Sequence, residues 1–291
     1  MSATFTRRSV LSSALAITLS QVSKAGAEPS PSDIAARLAD IEAAAQGRLG
    51  VTILDTKTGK RYGRREDERF PLLSTFKFLA AGLVLSRVDA GKELFDRRVR
   101  YAKQDLVQYS PATERHLDEG MTVAEICAAA ITLSDNTAGN LMLASFGGPV
   151  ALTAYARALG DTVTRLDRIE PDLNNVPSGE MRDTTTPAAM LGLMHKLLMG
   201  DALSLASRQQ LIAWLVDNQT GGKRLRAGLP RDWRVGDKTG SAGSNGNDIA
   251  IAWPPGRDPL LIASYYVGIP NASEQRDLVH AGVGHIIAGA L

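Results

Sequence analysis

Ser74-Thr75-Phe76-Lys77-Phe78-Leu79-Ala80-Ala81-Gly82-Leu83-Val84-Leu85 joins a short polar start to an almost unbroken apolar run, and Asp89-Ala90-Gly91 supplies a stop. The pattern predicts a helix buried on most sides, with Ser74 at its N-terminal end. Residues three apart share a helix face, so Lys77 is placed to reach the Ser74 hydroxyl. A helix start also favours developing negative charge, which suits Ser74 as a nucleophile. The four-residue pattern S-x-x-K is weak alone, since roughly one is expected by chance in a chain of this length. The bland reading is a capping serine followed by a solvated lysine.

The segments on either side decide between these readings. Before this helix, Ser32 to Ala45 reads as a helix with Ser32 as N-cap, followed by a strand at Leu49–Leu54, a turn at Asp55–Lys60 and a return strand at Arg61–Arg65. From Ser74 to about Leu215 the periodicity is helical, clearest over 74–88, Val123–Leu133, Thr137–Phe146, Val150–Leu159, Thr186–Met199 and Leu205–Val216. Three strand runs then start at Arg234, Asp248 and Leu260, separated by Gly, Asn and Pro turns, and a last helix covers about Ser273–Ala288. Strands at both ends with helices between them predict one sheet built from the two ends of the chain, carrying an inserted helical region.

Residues 1–27 stand apart. Arg7-Arg8 precede the apolar run Leu15-Ala16-Ile17-Thr18-Leu19, and Ala25-Gly26-Ala27 offers a cleavage site, which together read as a bacterial export signal, with the adjacent arginines pointing to the twin-arginine route. The expected product is periplasmic or secreted. These residues carry Arg7, Arg8 and Lys24 and no carboxylate, so without them the formal charge moves from +2 to −1. That balance argues against nucleic acid or an anionic membrane surface as partner. The single cysteine, Cys127, lies in an apolar helix and reads as a small core residue. His116, His195, His280 and His285 lack metal-ligand spacing; His195 and His285 sit in apolar helices and are expected to be packed.

Two further short motifs fall on suitable elements: Ser134-Asp135-Asn136 on a turn between helices and Lys238-Thr239-Gly240 on a strand. S-x-x-K, S-D-N and K-T-G in this order are the set found in class A β-lactamases and penicillin-binding proteins. Glu170-Pro171-Asp172-Leu173-Asn174 resembles the Ω-loop segment of the class A serine β-lactamases, with Arg168 and Asp183 similar to that loop's salt-bridge pair. Leu106–Pro111 and Gly120–Ala138 also resemble that family, and the likeness covers nearly all of the chain after residue 27.

The resemblance implies an α+β fold. A five-stranded antiparallel sheet flanked by N- and C-terminal helices would come from 28–72 and 217–291, with an all-α domain over 73–216. It implies a monomer that uses no cofactor or metal and opens β-lactams through an acyl-enzyme on Ser74. Lys77 or Glu170 would take the Ser74 proton, Glu170 with Asn174 would activate the deacylating water, and Ser134 beside Lys238 would protonate the leaving nitrogen. The backbone N–H groups of Ser74 and Ser241 would form the oxyanion hole. Asn136 would bind the substrate's side-chain amide, Tyr109 would wall the site, and Lys238, Thr239 and Ser241 beside Gly240 would hold the carboxylate. The resemblance further implies a cis Glu170–Pro171 bond.

One departure stands out. Many members place an arginine on the strand after K-T-G, whereas Ser244-Asn245-Gly246-Asn247-Asp248 has none here. Arg224 matches the position from which other members supply it, and Arg226 reads as structural. Leu73 and Ala242 exclude a disulfide that some carbapenem-hydrolysing members carry, and penicillins with early cephalosporins are the expected substrates. A D-alanyl-D-alanine peptidase and a β-lactam sensor domain are the competing readings; the Glu170–Asn174 segment argues against both.

Overall fold

The computed structural model describes residues 30–290, and the export signal expected over residues 1–27 lies outside them. Helix α1 (Pro31–Ala45) leads into β1 (Arg48–Asp55) and β2 (Arg61–Arg64). Seven helices follow: α2 (Phe76–Asp89), α3 (Val123–Thr132), α4 (Asn136–Phe146), α5 (Gly148–Ala158), α6 (Pro187–Leu198), α7 (Leu205–Val216) and the short α8 (Leu225–Gly228). Strands β3 (Arg234–Ala242), β4 (Asn245–Trp253) and β5 (Leu260–Val267) and helix α9 (Gln275–Ala290) complete the described chain. The fold is α+β, as expected.

The five strands form one antiparallel sheet in the order β2-β1-β5-β4-β3. Its seam is the pairing of β1 with β5, from Arg48 opposite Val267 to Asp55 opposite Leu260, which joins the two ends of the chain. Side chains alternate across a strand, and here both faces are covered. Val51, Ile53, Ala250 and Ile262 pack with Ile34, Leu38, Val283 and Ile287 of α1 and α9. Ile249, Ile251, Leu261 and Tyr265 face the other way and join the apolar core of the helical region. Helix α2 runs through that core with residues Phe76 to Gly82 all buried. Gly82 lets α6 approach, since a Cβ there would lie 2.9 Å from Leu197 Cδ1.

Two expectations are corrected. Ser30, not Ser32, caps α1: its side chain accepts from the Asp33 N–H and Asp33 bonds back to the Ser30 N–H. Pro31 then takes the first helical position, where its missing N–H costs nothing, and Asp33 completes a capping box. His195 and His285 are exposed, because the helix phase puts Leu191, Met194 and Leu198, and Gly284 and Ile287, on the buried sides instead.

The packed histidine is His280, fully buried, with Nδ1 2.8 Å from Ser264 Oγ on β5. Burial, reinforced by the charge of Arg224, pushes its pKa down to about 3. The unfolded chain titrates this ring near ~6.5. Between that value and the folded one the unfolded state binds a proton that the native state refuses, so stability falls as the pH drops. This histidine should add up to ~1.4 kcal/mol per pH unit to the acid slope. Denaturation of wild type and His280→Asn at neutral pH and at pH near 5 should show the variant with a shallower slope; parallel slopes would refute the assignment.

Candidate active site

Ser74 sits in a 3-10 turn, Leu73–Thr75, that runs directly into α2. Leu73 holds φ at +46°, a region that disfavours a branched side chain and persists only where its surroundings enforce it. Enforcement comes from the sheet and from the turn itself. The Asn247 side-chain amide donates to the carbonyls of Pro71 at 2.8 Å and Leu72 at 3.0 Å, and Thr75 Oγ1 donates to Leu72 O at 2.6 Å.

One turn along α2, the fully buried Lys77 amine donates to Ser74 Oγ at 2.9 Å, Ser134 O at 2.9 Å and Asn136 Oδ1 at 2.6 Å, and lies 3.1 Å from Glu170 Oε1. Ser74 Oγ is itself 3.2 Å from Glu170 Oε1. Burial pushes the Lys77 pKa down, against the opposing pull of the Glu170 and Asp135 carboxylates.

The Ser134 loop is set by Asp135. Its carboxylate caps α4 through the Ala138 N–H at 2.8 Å and accepts the N–H groups of Ala112 and Thr113 at 2.9 Å each. This ties the loop carrying Tyr109 to the same spot. Ser134 and Tyr109 both have left-handed backbones, with φ of +58° and +66°. Tyr109 is 58% exposed, so it lines the cleft without packing into the core.

Glu170 is buried at 1% exposure on the loop after α5, and its bond to Pro171 is cis, as expected. The Arg168–Asp183 pair closes at 2.6 Å. Asn174 Nδ2 donates to Glu170 Oε2 at 2.6 Å. Asn140, a residue the sequence reading missed, holds the Glu170 backbone from both sides: its amide donates to Glu170 O and accepts from Glu170 N, each at 2.9 Å.

The far wall is β3, an outer strand of the sheet. Lys238 Nζ donates to Ser134 Oγ at 2.9 Å and Thr239 O at 2.7 Å, and burial with the nearby Lys77 charge pushes its pKa well below the lysine range. Gly240 lets the strand touch the nucleophile turn, since a Cβ there would lie 2.9 Å from Leu73 Cβ and 3.1 Å from Ser74 N. Arg224, 4% exposed, donates to Gly240 O at 2.8 Å, Asn247 O at 2.7 Å and Ser241 Oγ at 2.5 Å, and pairs with Asp277 at 2.8 Å. Arg226 instead turns away to Asp237 at 2.5 Å and the Leu215 and Val216 carbonyls.

A cavity of about 510 Å³ opens where these elements meet, and every site residue expected from the sequence lines it or bonds to a residue that does. Asn140, Asn247 and Asp277 escaped the sequence reading. Asn140 sits four residues beyond Asn136, the first residue of the helix, and so on the same face, which is the one signal that could have found it. Among the described residues no group of three or more His, Cys, Asp and Glu side chains is arranged to hold a metal ion. Replacing Asn140 by Ala strips two bonds from a buried backbone segment and should cost about 1–3 kcal/mol. Urea denaturation reads that loss directly, and an unchanged midpoint would contradict it.

Comparison with known proteins places this geometry in a lineage. The sequence profile described as the beta-lactamase enzyme family matches residues 33–288. Beta-lactamase L2 of Stenotrophomonas maltophilia is 50% identical over 250 residues, covering 85% of this chain and 82% of that protein. Beta-lactamase AST-1 of Nocardia asteroides is 48% identical over 256 residues, covering 88% and 83%. Among solved structures, an ancestral class A beta-lactamase (GNCA) superposes with a TM-score of 0.87 at 59% identity, covering 89% of this chain and all of that one. With family, relatives and structure in agreement, the chain belongs to the class A serine β-lactamases.

Proposed function

We propose that the protein hydrolyses the four-membered amide ring of penicillins and cephalosporins, and so confers resistance to them, through an acyl-enzyme on Ser74. The observation that carries this reading is the contact set of Glu170, which meets Ser74 Oγ at 3.2 Å, Lys77 Nζ at 3.1 Å and Asn174 Nδ2 at 2.6 Å. A nucleophile with its base serves acylation; a second buried carboxylate contact toward Asn174 serves the water step that follows.

In acylation, Ser74 Oγ attacks the ring carbonyl, whose oxygen becomes negative and is met by the backbone N–H groups of Ser74 and Ser241. Gly240 supports this assignment by keeping β3 against the Ser74 turn. Two bases stand within reach of the Ser74 proton, the Glu170 carboxylate and the Lys77 amine, whose charge burial already disfavours. As the C–N bond breaks, the Ser134 hydroxyl, held by Lys238 at 2.9 Å, gives its proton to the nitrogen. The proton taken from Ser74 restores the Ser134 hydroxyl. Arg224, Ser241 and Thr239 answer the substrate carboxylate on the other side of the cleft.

Deacylation is less forgiving. The attacking water has to surrender a proton to a group that also faces Asn174, and the Glu170 carboxylate is placed to take it. Water adds to the acyl carbonyl, Ser74 recovers its proton, and the ring-opened acid leaves. We also read residues 1–27 as an export signal, on Arg7-Arg8 and Ala25-Gly26-Ala27, which would place the reaction outside the cytoplasm.

A chromogenic cephalosporin mixed with residues 28–291, wild type beside Glu170→Ala, tests the reading. Wild type should turn over steadily. The variant should release about one equivalent and then stall, with steady-state kcat lower by ~100-fold or more. A stall in wild type as well would identify a sensor or a peptidase.

A further inference from the structure

We propose that Lys223 and Arg276 form a second anion subsite on the rim of the active-site cavity, taking an ionised acidic group that a β-lactam carries in addition to its ring carboxylate. The inference deepens the hydrolase reading and rests on it.

Charge around Asp277 is unevenly shared. Arg224 Nε and Arg276 Nε address the same oxygen, Asp277 Oδ1, at 2.8 Å and 3.8 Å. Only the first is a hydrogen bond. Arg276 is therefore left with a buried Nε that has no hydrogen-bond partner, although its Nη1 donates to Gly243 O at 2.6 Å. Burial of Arg276 and the charge of Arg224 both disfavour its charged form, and an incoming anion would offset both.

The side chain is also directed. A Cβ on Gly246 would lie 2.8 Å from Arg276 Cβ and 3.2 Å from its Cγ and Cδ, so the stem of Arg276 lies flat across β4. That lays its guanidinium beneath the β3–β4 hairpin, where it lines the same cavity as Ser74. Lys223, exposed and next to Arg224, lines the cavity from the facing segment. The ring carboxylate already has Arg224, Ser241 and Thr239, which leaves Lys223 and Arg276 as the other cations lining the cavity. A second acidic group on the substituent next to the ring carboxylate meets both.

The probe is a pair of cephalosporins whose C3 substituents end in a carboxylate or in the matching carboxamide. Wild type should show the lower KM for the carboxylate, with kcat nearly equal, and added salt should erase the difference. Lys223→Gln should cut the carboxylate-to-carboxamide ratio of kcat/KM about threefold, and Arg276→Gln roughly tenfold. Turnover of the carboxamide should hold in both variants. A ratio unchanged by either substitution would overturn the subsite, as would equal losses on both substrates, which would mark Arg276 as a brace for the hairpin. If Arg276→Gln does not fold, the exposed Lys223→Gln decides alone. Failure of wild type on both substrates would instead sink the hydrolase reading, and the subsite with it.

Discussion

A lysine amine taken fully out of water needs acceptors for its protons, and the structure meets that demand at Lys77 with oxygens from separate segments. They come from the turn before α2, the loop and first turn of α4, and the loop that carries Glu170. An uncompensated buried charge costs several kcal/mol, so these segments are held to one arrangement by the penalty of leaving it. Two of these oxygens, Ser74 Oγ and Glu170 Oε1, are themselves reacting groups. Positioning of the nucleophile and satisfaction of the amine are one physical problem with one solution.

The second half of the site depends on how closely a sheet edge can approach that cluster. Gly240 removes the side chain that would hold β3 off the Ser74 turn, and Asn247 on the neighbouring strand grips the carbonyls just before it. Arg224 then bonds to the backbone of both strands and to Ser241. The left-handed backbones of Ser134 and Tyr109 line the cleft, and that of Leu73 lies in the buried turn just before Ser74. Unfavourable dihedrals persist where surrounding contacts over-determine them, as the Asn247 and Thr75 bonds do around Leu73.

Much of this was legible in the sequence because its signals are local. A serine and lysine one helical turn apart, an S-D-N cap and a K-T-G strand each fit within four residues, and the strand–helix–strand order predicts the sheet. What escaped is long-range or depends on phase. Asn247 acts on residues about 175 positions away, and Asp277 pairs with an arginine 53 positions earlier. A single Asn or Asp in a strand or helix start carries no mark of such a partner. His195 and His285 were misplaced for a different reason: in a helix apolar on more than half its surface, composition does not tell which side faces out. Pro31 outweighed Ser32 at the first cap because the proline ring presets the first helical turn.

The seam between β1 and β5 has a consequence for the order in which the molecule comes into existence. It pairs residues more than two hundred positions apart, such as Arg48 with Val267, whereas helix pairs such as α3 with α4 and α4 with α5 pack as sequence neighbours. Contacts that close long loops form late, because the chain entropy must be lost before any pairing repays it. Strand β3 is bonded into the sheet through β4, which pairs in turn with β5 at that seam. A growing chain that already has Ser74, Lys77 and Glu170 in folded helices and loops still lacks the wall opposite them. The cleft is thus a property of the finished chain: an early-released fragment retains the reactive serine without the surface that selects what it attacks.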